Sequence, residues 1–88
     1  MKILAVCGSG LGTSFMLEMN IKKVLVEHNL VAEVNHSDLA SVTKDSADLF
    51  VMGRDIAESS PIEKERIIIL NSIISKKELE EKLVERLK

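Results

Sequence analysis

The chain has 88 residues, of which 45% are apolar and 30% charged, and this size and composition predict a single globular domain over residues 1–88. Twelve basic and fourteen acidic residues give a net charge of −2, and only two residues are aromatic, which argues against a nucleic-acid-binding protein. One cysteine cannot form an internal disulfide, no leader pattern opens the chain, and no apolar run approaches the roughly 20 residues that span a bilayer. We therefore expect a cytoplasmic protein without membrane insertion of its own.

The first half of the chain predicts two strands joined by a helix. The apolar run over 3–6 lacks alternation, which is typical of a strand buried on both faces. Weak alternation over 31–36 predicts a second strand, nearer the sheet edge. Between them, apolar residues at helical spacing predict a helix over about 13–28: Leu17, Ile21, Val24 and Leu25.

The second half predicts two more strands and a terminal helix. A short helical crossover over 38–45 leads to a third strand over 49–52, and a loop or frayed helical turn over 54–61 precedes a fourth strand over 66–70. Ser75 and Glu78 have the spacing of a capping box, which predicts the start of the last helix. Its apolar stripe consists of Leu79, Leu83 and Leu87.

Alternating strands and helical segments predict an α/β domain with a four-stranded parallel sheet. The expected strand order is 2-1-3-4, doubly wound, with helices on both faces in a three-layer α/β/α arrangement. In this order the winding reverses between the first and third strands, where ligands commonly bind. The segments 7–13 and 53–61 should meet at that point.

The segment 7–14 reads CGSGLGTS and places a thiol at the end of a buried strand, before three glycines and a helix start. Glycines let successive backbone N–H groups converge on an anion, and the helix adds its positive end. Thr13 or Ser14 is also a candidate cap for the helix. The residues predicted to bind a phosphoryl group are Gly8, Ser9, Gly10, Leu11, Gly12, Thr13 and Ser14.

The same surroundings favour the thiolate form of Cys7, because backbone donors and the helix dipole stabilise a negative charge on sulfur. One loop then supplies both a nucleophile and the donors that hold the oxygens of an incoming phosphoryl group. The competing interpretation is a buried thiol beside glycines that only form a tight turn. Because Cys7 lies at the mouth of the loop, we favour phosphoryl transfer to this residue.

Other phosphate-binding motifs do not fit the loop. The dinucleotide pattern G-x-G-x-x-G requires glycine where this chain has Thr13. A Walker loop requires a lysine after its last glycine, and none occurs between Lys2 and Lys22. Nucleotide binding is therefore not expected, and neither a cofactor nor a metal ion is predicted.

At this loop the sequence resembles enzyme IIB of the bacterial phosphoenolpyruvate-dependent sugar phosphotransferase system (PTS), in its ascorbate and galactitol branch and most closely its ascorbate-type members. Their first strand ends in C-G-x-G-x-G-[ST]-S, to which Cys7 and the following residues through Ser14 conform. The segment 46–57 is also similar to this family. The resemblance implies a phosphoryl carrier: Cys7 takes phosphate from a histidine of a IIA component and passes it to a sugar, such as ascorbate or galactitol, held by the membrane component IIC. We expect a monomer by default.

Two alternatives stay open. A small cysteine phosphatase or arsenate reductase has the loop C-x5-R-[ST], but Thr13 occupies the arginine position, and a hydrolase needs that guanidinium more than a carrier does. A redox or regulatory binding module needs only a reactive Cys7.

Several further residues receive less specific expectations. Met16 and Met19 are expected to pack in the core, although they also suit a partner surface. His28 is explained by favourable charge at a helix end, and His36 is assigned no role. Four residues after the third strand are candidates for contact with the phosphoryl group or a partner surface, but we favour ordinary solvated loop residues: Arg54, Asp55, Ser59 and Ser60.

Overall fold

The computed structural model describes residues 1–7, 11–72 and 75–87, with the backbone alone at 11–14. Strands and helices alternate along this part of the chain, and a turn of 3-10 helix at Lys64–Arg66 precedes the last strand. In none of the described segments is there a helix long and apolar enough to cross a bilayer. The elements are β1 (Lys2–Cys7), α1 (Leu11–Glu27), β2 (Glu33–Asp38), β3 (Leu49–Gly53), α2 (Arg54–Ser59), β4 (Ile67–Leu70) and α3 (Lys76–Leu87).

The strands form one parallel sheet with the order β2-β1-β3-β4, which confirms the predicted topology. Helices α1 and α3 cover one face of the sheet, while α2 and the segment between β2 and β3 cover the other. Strand β1 contributes Ile3 and Ala5 to the first core and Leu4 and Val6 to the second. Its uninterrupted apolar run is therefore explained by burial on both faces.

Two predicted elements between β1 and β3 are corrected by the structure. Strand β2 occupies 33–38 instead of 31–36, and Val31 is 97% exposed. The segment 38–45 was predicted to be a helical crossover, but it forms turns. Its short polar side chains bond to nearby backbone groups: Asp38 Oδ1 accepts from Ser41 N at 3.0 Å, and Ser46 Oγ accepts from Thr43 N at 3.0 Å. Such local bonds compete with helix formation.

Other boundaries differ by smaller amounts. Helix α1 begins at Leu11, two residues earlier than predicted, and ends at Glu27. Of the two possibilities for 54–61, the structure has the helical turn, since α2 starts directly after Gly53. Strand β4 begins at Ile67 instead of residue 66.

The start of α3 has half of the predicted capping box. Ser75 Oγ accepts from the backbone N–H of Glu78 at 3.2 Å, as a capping serine does. The Glu78 carboxylate reaches further back than in a capping box and accepts from the N–H groups of Asn71 at 2.7 Å and Ser72 at 2.9 Å. It also pairs with Lys82 at 2.8 Å. Glu78 therefore ties the helix to the end of β4.

These contacts predict a loss of stability in acid. The hydrogen bond from Lys82, followed by those from Asn71 and Ser72, lowers the pKa of Glu78 from 4.5 to about 2. A carboxyl whose pKa is lower in the folded state stabilises the protein above its unfolded pKa and ceases to do so as the pH falls through its folded pKa. Because the side chain is 18% exposed and screened by solvent, we expect it to contribute on the order of 2 kcal/mol.

Urea denaturation of the wild type and Glu78→Gln at about pH 5 and about pH 2.5 measures this contribution. The free energy of unfolding should fall between the two pH values by less in the variant than in the wild type. Glu81→Gln, which replaces an exposed glutamate of the same helix, is the matched control and should behave like the wild type. An equal pH dependence in Glu78→Gln and the wild type would contradict the assignment.

Strand β4 lies at an edge of the sheet, and α3 supplies donors to its outer carbonyl groups. Lys82 Nζ donates to the carbonyl of Ile69 at 2.6 Å, and Arg86 Nη2 donates to that of Ile67 at 3.1 Å. Arg86 Nη1 donates to the carbonyl of Glu65 at 2.7 Å. The helix that covers the face of β4 therefore also blocks its edge, which protects an exposed strand from pairing with other chains.

Candidate functional site

Cys7 is the last residue of β1 and is partly buried. Its Cα lies opposite that of Asp38, the last residue of β2, and its carbonyl oxygen accepts from the N–H of Leu39 at 3.0 Å. Helix α1 starts at Leu11, so only residues 8–10 separate the strand from the helix. This short connection holds Cys7 close to the N-terminal end of α1.

The end of β3 lies beside the end of β1. The paired residues run from Ile3 with Leu49 to Ala5 with Val51, and each strand continues two residues beyond the last pair, to Cys7 and to Gly53. Strands β1 and β3 are the neighbours at which the winding reverses, so the predicted switch point is present in the fold.

The residues after Gly53 form helix α2 and line a cleft beside it. A cleft of about 410 Å³ at the carboxyl ends of β3 and β4 has Arg54, Asp55 and Glu58 among its described lining residues, which do not include Cys7. Arg54, Asp55 and Ser59 are exposed, and Ser60 ends the helix with its N–H donating to the carbonyl of Ala57 at 3.3 Å. Their placement agrees with the solvated surface expected for them.

The electrostatic surroundings of Cys7 suit an anion on the α1 side. No acidic residue occurs in the first turn of α1, so no side chain there opposes the positive end of the helix. On the β2 side, hydrogen bonds from the hydroxyl and the backbone N–H of Ser41 lower the pKa of Asp38, which keeps this carboxylate ionised. An anion near the end of β1 is therefore better placed on the α1 side than beside Asp38.

The predicted phosphate-binding residues are only partly described. Gly8, Ser9 and Gly10 lie outside the described residues. The backbone of Leu11, Gly12, Thr13 and Ser14 forms the first turn of α1. Because the helix begins at Leu11, Thr13 and Ser14 lie inside it, and the expectation that one of them caps its start is wrong.

The expectation that Met16 and Met19 pack in the core is also wrong. They are 58% and 45% exposed, and Phe15 is 51% exposed. The face of α1 that packs on the sheet carries Leu17, Ile21, Val24 and Leu25, so the two methionines lie on the outer side of the helix. Three large apolar side chains are thus exposed near the end of α1 that is nearest to Cys7.

A contact between α1 and β2 has no counterpart in the sequence analysis. His36 Nδ1 contacts the Oε1 atom of Glu18, whose Oε2 atom pairs with Lys22 at 2.7 Å. The ring of His36 also lies edge to face against Phe15, with 5.8 Å between the ring centroids. Burial would raise the pKa of Glu18, but the hydrogen bonds from Lys22 and His36 outweigh it and lower the pKa. No sequence pattern indicates this pairing, because residues 18 and 36 meet only through the packing of α1 on β2.

Within the part of the chain that the structure describes, no three histidine, cysteine or acidic residues cluster as metal ligands would.

Comparison with known proteins identifies the family. Residues 2–85 match the model of the family described as "PTS system, Lactose/Cellobiose specific IIB subunit". The chain belongs to the PTS IIB family. This IIB chain is also 25% identical, over 92% of its length and 88% of the relative's, to the ascorbate-specific PTS EIIB component of Mycoplasma pneumoniae. PTS IIB components are phosphotransferases of sugar transport, so the resemblance identified at the cysteine loop is confirmed.

Two solved structures share the fold of this IIB chain. The lactose-specific IIB domain of Streptococcus pneumoniae superposes with a TM-score of 0.64 at 19% identity, covering 100% of this chain and 98% of that one. A low molecular weight protein tyrosine phosphatase from Bacillus subtilis superposes with a TM-score of 0.65 at 17% identity, covering 99% and 97%. At these identities the likeness concerns the fold alone, and it does not separate a carrier from a phosphatase.

Proposed function

We propose that this IIB protein carries a phosphoryl group on Cys7 between a phosphohistidine of a IIA component and a sugar held by the membrane component IIC. The observation that carries the proposal is the position of Cys7 at the end of β1, on the strand that pairs with β3 and just before the start of α1. The family match supports phosphotransfer as the activity. The sugar proposed is ascorbate, galactitol or a related compound, for which the ascorbate-specific relative is the support.

In the first step the Cys7 thiolate attacks the phosphorus atom of the donor phosphohistidine. An S–P bond forms, the P–N bond breaks, and the imidazole leaves with the electron pair and takes up a proton. The N–H groups of residues 8–14 and the positive end of α1 hold the phosphoryl oxygens during this step, with Gly8, Ser9, Gly10, Leu11, Gly12, Thr13 and Ser14 as the proposed binding residues.

In the second step a hydroxyl group of the sugar attacks the phosphorus atom of phosphocysteine. The new O–P bond replaces the S–P bond, the thiolate leaves, and the hydroxyl proton passes to a base outside this chain. No cofactor or metal ion takes part in either step of this proposal. Since the phosphate originates from phosphoenolpyruvate, the carrier works in the cytoplasm, and we expect it to do so as a monomer.

The proposal is tested by intact mass after incubation with phosphoenolpyruvate, the general phosphotransfer proteins and an ascorbate-type IIA component. We expect one added phosphoryl group on the wild type and none on Cys7→Ala. Absence of the adduct on the wild type, with a donor verified to phosphorylate its own cognate IIB component, would count against the carrier.

A cysteine phosphatase is the second candidate, because the fold matches the Bacillus subtilis phosphatase over nearly the whole chain. The chain has Thr13 where the phosphatase loop has its arginine, so the transition state for hydrolysis lacks a bidentate cation. We expect little turnover of an aryl phosphate. Turnover comparable to that of a cysteine phosphatase would favour this second candidate. If Cys7 neither accepts phosphate nor hydrolyses the aryl phosphate, the remaining candidate function is that of a redox or regulatory binding module.

The exposed apolar side chains on α1 suit the docking of the IIA donor. A donor histidine that reaches Cys7 brings its protein surface over the first three turns of α1, where Phe15, Met16 and Met19 project to solvent. Methionine adapts its shape to a partner at low cost, which suits an interface that forms and dissolves in each cycle. Lys22 and Lys23, both exposed, continue this side of the helix and favour a donor with an acidic rim.

Replacing Met16 and Met19 together by glutamate should therefore weaken donor docking. We expect the KM for the phosphorylated IIA donor to rise roughly tenfold, which corresponds to about 1.4 kcal/mol of lost binding free energy, with kcat within about twofold of the wild type. Steady-state transfer kinetics at varied donor concentration measure both constants. Val26→Glu is the matched control, since Val26 is 76% exposed on the same helix but lies far from its start. An unchanged KM in the double variant would refute the docking surface.

A further inference from the structure

We propose that Glu18 and His36 are positioning residues that fix the start of α1, and with it the phosphoryl-binding loop, relative to Cys7. The inference rests on the proposed function, in which Cys7 is the phosphoryl acceptor. It assigns a role to the contact between Glu18 on α1 and His36 on β2. The positions of these residues in the sequence do not explain why they meet.

His36 lies close to Cys7 in the sheet. Its Cα lies opposite that of Ala5, and Ala5 is in the core between the sheet and helices α1 and α3. Side chains two residues apart on a strand point to the same face, so Cys7 follows Ala5 on the α1 face, about 7 Å further along β1. His36 thus lies on the strand next to that of Cys7, opposite the residue two positions before Cys7. Its side chain is on the face that α1 covers.

Two residues of α1 hold this histidine. Glu18 is ionised and accepts only, so the Nδ1 atom of His36 carries the proton in their contact. Phe15 packs its ring against the imidazole from the preceding turn. The Glu18 side chain is 12% exposed and the His36 side chain 33%, so the contact is partly shielded from water, which strengthens it.

The contact can act on the loop because the loop is short. Only three residues connect Cys7 to the first residue of α1, so a shift of the first turns of the helix shifts one end of this connection. Among the side chains described from Phe15 onward, Leu17 is the first buried residue that anchors α1, and Phe15 and Glu18 flank it with their contacts to His36. Group transfer is sensitive to such shifts, since a misplacement of about 1 Å can cost ~100-fold in rate.

The chain contains a matched control at the other end of the same helix. His28 follows α1 directly, and its Nε2 atom lies 3.2 Å from Glu80 Oε2 on α3. This pair also joins a histidine to a glutamate across two elements. It lies ten residues beyond Glu18, which is about 15 Å along a helix. Its removal should affect stability without moving the loop.

The test compares two sets of variants. The first set is Glu18→Ala, His36→Ala and their double variant, and the control set is His28→Ala, Glu80→Ala and their double variant. We expect kcat for transfer from the phosphorylated IIA donor to fall roughly tenfold in each variant of the first set, with KM within about twofold. The double variant should be no slower than either single variant, because both remove one contact. Glu18→Gln keeps an oxygen that accepts from Nδ1 and should retain most of the wild-type kcat. The control set should transfer at the wild-type rate.

Equal effects of the two sets on kcat, or an effect of the first set on KM alone, would overturn the inference. A wild type that accepts no phosphate would instead contradict the proposed function. In that event the rate of Cys7 alkylation by iodoacetamide, measured across a range of pH without any donor, decides the role of the pair. We expect the pH profile of the alkylation rate in His36→Ala to differ from that of the wild type, and the profile of His28→Ala to superimpose on that of the wild type. If all three profiles superimpose, the inference is overturned.

Discussion

Cys7→Ser should lose phosphoryl transfer by roughly three orders of magnitude or more, as enzymes do when their nucleophile is removed. Serine is close to cysteine in size, so it keeps the packing at the end of β1. Its hydroxyl group is not ionised near neutral pH and is a far weaker nucleophile than a thiolate. The rate of uptake from the phosphorylated IIA donor, followed by intact mass, measures the loss.

A melting curve of Cys7→Ser should match that of the wild type, which separates the loss of the nucleophile from loss of the fold. His28→Gln tests whether a histidine of this chain carries the phosphate instead, and this variant should take up phosphate normally. Transfer by Cys7→Ser at the wild-type rate would contradict the assignment of Cys7.

Phe50→Ala should lower the free energy of unfolding by about 3 to 5 kcal/mol, the usual cost of truncating a buried phenylalanine. Phe50 is fully buried at the centre of the core between the sheet and α2. The guanidinium group of Arg66 lies 5.4 Å from the centroid of its ring and donates to the carbonyls of Ala47 and Asp48, so the ring also supports the chain that enters β3. A domain of 88 residues has a total stability of roughly 4 to 13 kcal/mol, so the variant approaches the limit of folding.

Urea denaturation measures this change, with Val26→Ala as the control, since Val26 projects to solvent on α1. The control should lose less than about 0.5 kcal/mol. Phe50→Leu keeps part of the packing and should lie between the wild type and Phe50→Ala. A loss below about 1 kcal/mol in Phe50→Ala would mean that the neighbouring side chains collapse into the space.

The parts of the fold that follow from local pattern could be predicted. The apolar runs of β1, β3 and β4 are uninterrupted because both faces of these strands are covered, and their alternation with helical segments is sufficient to give the sheet order. The conformation of the segment 38–45 was not predictable in this way. Its polar residues are compatible with a helix, but the bonds within it, such as that between Asp38 and Ser41, decide for turns.

The features of the site that follow from the local order of residues could be predicted from the sequence, whereas those that follow from tertiary packing could not. The position of Cys7 before a glycine loop and a helix start follows from the order of residues 3–14. The exposure of Met16 and Met19 depends on which face of α1 meets the sheet, and the helix has apolar residues on both. The contact of Glu18 with His36 requires β2 to pair with β1 so that His36 lies opposite Ala5, and no pattern in the sequence indicates this register.

The hydrogen bonds that α3 donates to the carbonyl groups of β4 give this helix a second role besides packing in the core. The run Ile67–Leu70 is apolar and uncharged, the composition that favours assembly into intermolecular sheets. A chain shortened before Lys76 would leave the Ile67 and Ile69 carbonyls without Arg86 and Lys82, and would uncover the same strand's apolar face. Shortened versions of this domain would thus be templates for aggregation, and any minimal domain has to retain the last helix.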